Sequence, residues 1–175
     1  MFSKINVSQI LKDHLKTLRD QETNRFFAGD VFTFFVIPMI VSLVILFLIK
    51  FTLDKDTSNI LITSLSVFSA LLFNLLLLIY DIVRREERAS NTVDSPLMVN
   101  FLRQIYSNIS FSILISVICV ALLLITLLGI KAVWFNQIIS FIVYYLVMLF
   151  LLTIFMVLKR VHILLSKEIQ EKPPK

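Results

Sequence analysis

Charged side chains vanish from the sequence in four places. Residues 31–49, 57–80, 104–130 and 132–158 contain no Asp, Glu, Lys or Arg. Each run meets the length of about 18 apolar residues that marks a membrane-crossing helix. Four such helices could not all be covered by the polar remainder of a soluble domain. The pattern predicts an all-α integral membrane protein, a four-helix bundle in which residues 31–158 form a four-span transmembrane domain. Ahead of it, in residues 1–30, Val7, Ile10, Leu11, Leu15 and Leu18 fall within an arc of about 140° at helical spacing. Gln9, Lys12, Asp13, Lys16, Arg19 and Asp20 fill the opposite face. This predicts an amphipathic helix of about four turns, started near Ser8, that lies on the membrane surface or packs on other helices.

The spans continue beyond the hydrocarbon. Span two runs on through Arg84, Arg85, Glu86, Glu87 and Arg88. Asp94-Ser95-Pro96 reads as the start of the next helix, with a cap followed by proline in the first turn. From there a helix of about 34 residues would end near Gly129, its first turns outside the bilayer. Span four runs through KRVHILLSKEIQ until Pro173 stops it, giving a helical tail over 159–175. Pro38, about a third of the way into span one, predicts a bend there.

Composition supports this reading and charge orients it. The chain has 175 residues, 58% of them hydrophobic, and a mean hydropathy of +0.88, above the usual soluble domain. Of 17 Lys and Arg residues, 14 fall in the first 30 residues, in the connection at 84–106 and in the tail. The positive-inside tendency therefore predicts that both termini and the 84–106 connection are cytoplasmic. The outer loops, 50–59 and 131–137, are short, with Trp134 placed as an interfacial anchor. The first 30 residues carry nine charges and no apolar run of signal length, so no cleavable signal peptide is expected. The single cysteine, Cys119, lies inside the third apolar run, which excludes a disulfide framework or a thiolate cluster within one chain.

Polar residues inside the apolar runs are the candidate chemistry. Asn74 sits among Leu71, Leu72, Phe73 and Leu75, where an unpaired amide would cost about 4–8 kcal/mol on the scale of a solvent that cannot compensate. Asn59, Thr63, Ser66, Ala70, Asn74 and Asp81 share one stripe of span two, about 80° wide at 3.6 residues per turn and broken only by Leu77. On span three, Ser112, Ser116, Cys119 and Thr126 lie along one face. Two readings are open. The stripes pack between helices of one subunit, with Asn74 bonded to a span-three hydroxyl or a backbone carbonyl. Or they line a water-filled path formed when several copies assemble, with a ring of Asn74 amides.

Enzyme chemistry finds no footing. His14 and His162 have no partner at ligand spacing and read as solvated or helix-packing residues. With only Gly29 and Gly129 available, no Gly-rich phosphate loop can be made, nor any HExxH or GxSxG motif. No catalytic residue, cofactor or metal is expected. Proton-coupled transport would place an ionisable residue in a span, and Asp30 and Asp81 stand only at the inner boundary. Two functions remain. One is a homo-oligomeric assembly that opens a pore or perturbs the membrane when a cytoplasmic signal arrives. The other is a non-conducting anchor or scaffold that recruits a soluble partner. Arg84, Arg85, Arg88, Arg103, Lys159 and Arg160 are the candidate docking residues for such a partner. The lipid bilayer and further copies of the chain are the other expected partners, and direct nucleic-acid binding is not expected.

The layout resembles the small four-span membrane components of bacterial anti-phage defence systems, such as the membrane subunit of the Kiwa system. The similarity lies in the charged N-terminal helix, the minimal outer loops, the basic middle segment RREERASNTVDSPLMVNFLR and the basic tail KRVHILLSKEIQEKPPK. Holins, bacteriocin-immunity proteins and superinfection-exclusion proteins share this look. The resemblance implies a membrane sensor or effector in antiviral defence that works with a cytoplasmic protein.

Overall fold

The computed structural model describes residues 7–17, 32–48, 53–89, 96–128 and 132–171, and within them the side chains of all but 86–89, 96–99, 164–165 and 167–171. Every element among these residues is helical: α1 (Ser8–Thr17), a π-helical turn (Phe32–Val36), α2 (Ile37–Phe47), α3 (Lys55–Ala89), α4 (Pro96–Leu127) and α5 (Val133–Glu171). Three helices are long and apolar enough to cross a membrane, over Lys55–Arg85, Asn100–Leu127 and Val133–Ile163. On the expected first span stands a shorter apolar helix, Phe32–Phe47. At 1.5 Å per residue, α3, α4 and α5 are about 52, 48 and 58 Å long, against a hydrocarbon core of about 30 Å. Each has several turns to spare. The capping residues Asp94 and Ser95, Leu18 of the amphipathic arc, and Pro173 lie outside the described residues.

The backbones pack in a row. α3 lies on α4, α4 on α5, and α5 on α2, while α1 rests on α4 and the π turn touches α5. The row is not closed into a ring among the described residues, since α2 and α3 do not approach one another. α3 reaches α5 only by side chains, as in the edge-on contact of Phe68 with Phe150 at 6.1 Å.

The α3–α4 contact has a clear sequence cause. On α4, Leu102, Ile105, Ile109, Ser112, Ser116, Cys119 and Leu123 are all buried, at alternating steps of three and four. On α3, Ser58, Leu65, Leu72 and Ile79 are buried, seven residues apart. A 3.5-residue repeat keeps the same face toward a partner along a left-handed crossing, and small side chains let the backbones come close. Ser58 meets Thr126 at 3.3 Å, and Ser69 meets Ser116 through their hydroxyls, so the two helices run antiparallel.

Local chemistry fixes the helix starts. Asp54 caps α3: its carboxylate accepts the Thr57 N–H at 2.8 Å, and its backbone carbonyl accepts the Ser58 N–H at 3.0 Å. The Thr57 hydroxyl and N–H hold the Asp54 carboxyl below its usual pKa. The Leu53 N–H donates to the buried Ser140 Oγ at 3.2 Å, which ties the entry of α3 to α5. In the first apolar segment, Pro38 has no N–H for the carbonyl four residues back, and the preceding turn is wound as π helix. The irregularity expected at Pro38 thus falls just ahead of it, and it seats Phe34 in the interior.

Candidate functional site

The two polar stripes read from the sequence meet opposite fates. The α4 stripe is internal. Ser112, Ser116 and Cys119 are each 0% exposed, and the hydroxyls of Ser112, Ser116 and Thr126 also return to the carbonyls of Asn108, Ile113 and Leu123. The α3 stripe is external. Asn59, Thr63, Ser66, Ala70, Asn74, Leu77 and Asp81 are all exposed, and Asn74 makes no hydrogen bond with the described residues. The Thr63 hydroxyl returns to the Asn59 carbonyl at 2.9 Å. Bonding of Asn74 to a span-three hydroxyl is therefore not what the chain does. The α4 hydroxyls are occupied by Ser58, Ser69 and their own helix, on the other side of α3.

Three faces run along α3. The seam to α4 is set by Ser58, Leu65, Leu72 and Ile79. The polar stripe lies about 150° around the helix from it. A third face, about 80° further on, carries Ile60, Val67, Leu71 and Leu78, exposed apolar side chains suited to lipid. Only 11% of the most apolar window of α3 is buried, against 39% for α4 and 33% for α5. The helix with the polar stripe is the least covered of the three.

The row also has a basic end. The C-terminus of α3, the N-terminus of α4, the C-terminal part of α5 and α1 meet there. Arg84, Arg85, Arg103 and Lys159 are exposed; Arg88 lies on α3 with its side chain outside the described ones. Arg160, grouped with them by sequence, is turned inward instead. Its Nη2 donates to the Thr17 carbonyl at 2.9 Å, placing a cation where the carbonyls of α1 end.

α1 docks by His14, a polar residue that falls inside its apolar arc, seven residues after Val7. His14 is 1% exposed, whereas Val7 and Leu11 are 45% and 46% exposed. The His14 ring stacks on Phe111 of α4 at 3.7 Å and meets Phe34 edge-on at 6.1 Å. Its Nδ1 lies 2.9 Å from Asn108 Oδ1; a carbonyl oxygen only accepts, so Nδ1 carries the hydrogen. Thr17 Oγ1 is 2.7 Å from that same oxygen and from the His14 carbonyl, and its one hydrogen serves one of them at a time. Burial, together with the Arg160 charge, pulls the His14 pKa down to about 4 against the opposing bond to Asn108. His14 Nε2 and Asn108 Nδ2 are buried without a hydrogen-bond partner among the described residues. His162, by contrast, is exposed. Sequence reasoning missed Asn108, Phe111 and Phe34, which are separated from His14 along the chain and carry no local motif. Ser58 and Ser69 were missed as well, although both fall on the 3.5-residue repeat of Leu65, Leu72 and Ile79, a signal that could have found them.

Among the described residues no three His, Cys, Asp or Glu side chains gather as metal ligands. Compared with known proteins, the chain matches no protein-family model, no curated protein and no solved structure.

Proposed function

We propose that this is a multi-pass membrane protein that assembles as a homo-oligomer through the polar face of α3. In the assembly these faces line a path that takes up water and ions when a signal reaches the basic end. One observation carries the reading: the stripe Asn59, Thr63, Ser66, Asn74 and Asp81 faces outward from a single chain. Lipid cannot satisfy an amide, and another copy supplies a partner at about 0.6–1.7 kcal/mol per bond. A ring of such amides can also hydrate an ion, and the neighbouring lipid face leaves the stripe free to turn toward a common axis. With the basic end cytoplasmic, Arg84, Arg85, Arg103 and Lys159 face a soluble partner, and the resemblance to anti-phage membrane components makes defence the setting. The same four exposed cations favour the second reading, a non-conducting scaffold, immunity or exclusion protein, because they offer a docking face whether or not the stripe conducts.

The test uses two measurements. In a Cys119→Ser background, Asn74→Cys is expected to cross-link between copies in membranes, and Leu71→Cys on the lipid face is not. Equal cross-linking at both positions would remove the α3 interface. In bilayers, Asn74→Leu is expected to abolish current while preserving the oligomer, since an apolar ring expels water. Asn74→Asp shifts selectivity toward cations. A cross-linked oligomer that passes no current in the wild type, under a stimulus that triggers the cellular response, would leave the scaffold reading in place.

A further inference from the structure

A groove opens beside the His14 contact, between α1 and the first turns of α4. It encloses about 1080 Å³ and is lined on the α4 side by Arg103, Gln104, Tyr106 and Ser107, and on the α1 side by Asp13 and Lys16. Of its two serines, Ser107 and Ser110, the first departs from the pattern kept elsewhere on this helix. Ser110 and Ser112 return their hydroxyls to the carbonyls of Tyr106 and Asn108. Ser107 is 8% exposed, yet its Oγ has no hydrogen-bond partner among the described residues. A helical serine can reach the carbonyl of the preceding turn; Ser107 does not, and its buried hydroxyl stands unpaired in the groove wall. One turn back stands Arg103, exposed and with no hydrogen bond or ion pair to any described residue.

The unspent groups can all donate: the Arg103 guanidinium, which only donates, and the Ser107 hydroxyl and Gln104 amide, which also accept. The one carboxylate, Asp13, is already engaged by two bonds from Gln9 and by Lys16 at 3.2 Å. Two cations against one occupied carboxylate repel a cationic ligand and favour an acceptor-only anion. A phosphate ester fits this, since arginine binds its oxygens through a fork of parallel N–H groups. Arg103 is the last charged residue before the uncharged run at 104–130, and the Tyr106 ring, 43% exposed, stands at the same level. Charged and aromatic side chains in that position mark headgroup depth.

We infer that the α1–α4 groove is a binding site for a phosphate-bearing anion, seated on Arg103 and Ser107. The inference does not depend on whether α3 faces assemble. The phosphate can belong to a lipid headgroup or to a soluble phosphate ester, and the test separates the two.

Full-length protein in a neutral detergent is titrated with phosphatidylglycerol, with diacylglycerol as the same lipid without phosphate, and with glycerol phosphate as the same phosphate without acyl chains. Bound ligand is counted by native mass spectrometry. Retention of phosphatidylglycerol without glycerol phosphate assigns a lipid; binding of glycerol phosphate assigns a soluble ester. Arg103→Gln is expected to weaken binding about tenfold, as loss of a charge-assisted contact does. Lys159→Gln, at the same end but outside the groove, leaves it within about twofold, as expected for a solvent-screened charge. Ser107→Ala supplies a second signature: affinity falls, while the ligand-free protein melts at a higher temperature because an unpaired hydroxyl is gone. Equal losses in Arg103→Gln and Lys159→Gln, or equal retention of diacylglycerol and phosphatidylglycerol, would overturn the site.

Discussion

At the scale of single residues, the decisive contact is His14. Its ring is neutral in the docked helix, because burial and Arg160 hold its pKa near 4, and an undocked histidine titrates near 6.5. Docking is therefore at full strength above pH of about 6.5 and weakens as pH falls toward 4, where the free helix binds a proton that the docked one excludes. A shift from 6.5 to about 4 corresponds to roughly 3 kcal/mol at 1.36 kcal/mol per unit. Hydrogen exchange of the α1 amides should quicken through that window in the wild type, and His14→Phe should flatten the profile. An unchanged profile in the variant would assign the pH response to another group. The signal was its place on the helix: His14 stands in the apolar arc, one turn after Ile10 and Leu11, although Lys12, Asp13 and Lys16 flank it along the chain. What it packs on was not legible, because Phe34, Asn108 and Phe111 are contributed by other elements. Asn74 was the opposite case. Its anomaly was legible at once, because no residue within a turn offers an amide a bond.

At the scale of elements, the apolar runs located α3, α4 and α5, and Pro96 stands at the start of α4 where the sequence placed it. Which side of each helix faces inward was not legible. In water an amphipathic pattern marks the buried face, but lipid is as apolar as a protein interior, so hydrophobicity alone does not orient a spanning helix. The stripes on α3 and α4 look alike in composition, and only packing distinguishes them. Neighbouring residues of α3 offer a direct comparison. Ser69 lies on the seam against Ser116, whereas Ser66 lies on the outward stripe. Ser69→Leu should destabilise the single chain by about 1–3 kcal/mol, the usual cost of forcing bulk into a close contact. Ser66→Leu should leave the chain's own unfolding unchanged and reduce the population of oligomers. Denaturant titration in mixed micelles, paired with mass photometry, separates the two effects. Destabilisation of the monomer by both substitutions would place the stripe inside the fold after all.

At the scale of the whole molecule, α3 stands at one edge of the row and α1 at its basic end. Where an edge helix gains its neighbours was not legible, because no sequence pattern distinguishes a lipid neighbour from another copy. The position of α1 has a further implication for biosynthesis. Thr17 is bound by Arg160, 143 residues further along the chain, and His14 by Asn108, 94 residues along. At a synthesis rate of about 5–20 residues per second, roughly 7–30 s separate emergence of α1 from that of Arg160. Until α4 emerges, Val7, Ile10, Leu11 and Leu15 lack the helix on which α1 rests, and until Arg160 emerges the end of α1 lacks its cation. Ribosome-bound chains arrested before residue 160 should leave α1 open to a protease, and chains released after α5 is complete should protect it. Equal cleavage of both would mean that α1 does not close on the finished chain. α1 would thus leave the ribosome before α4 and α5 and find its place after them, its closure marking that Asn108 and Arg160 have both arrived.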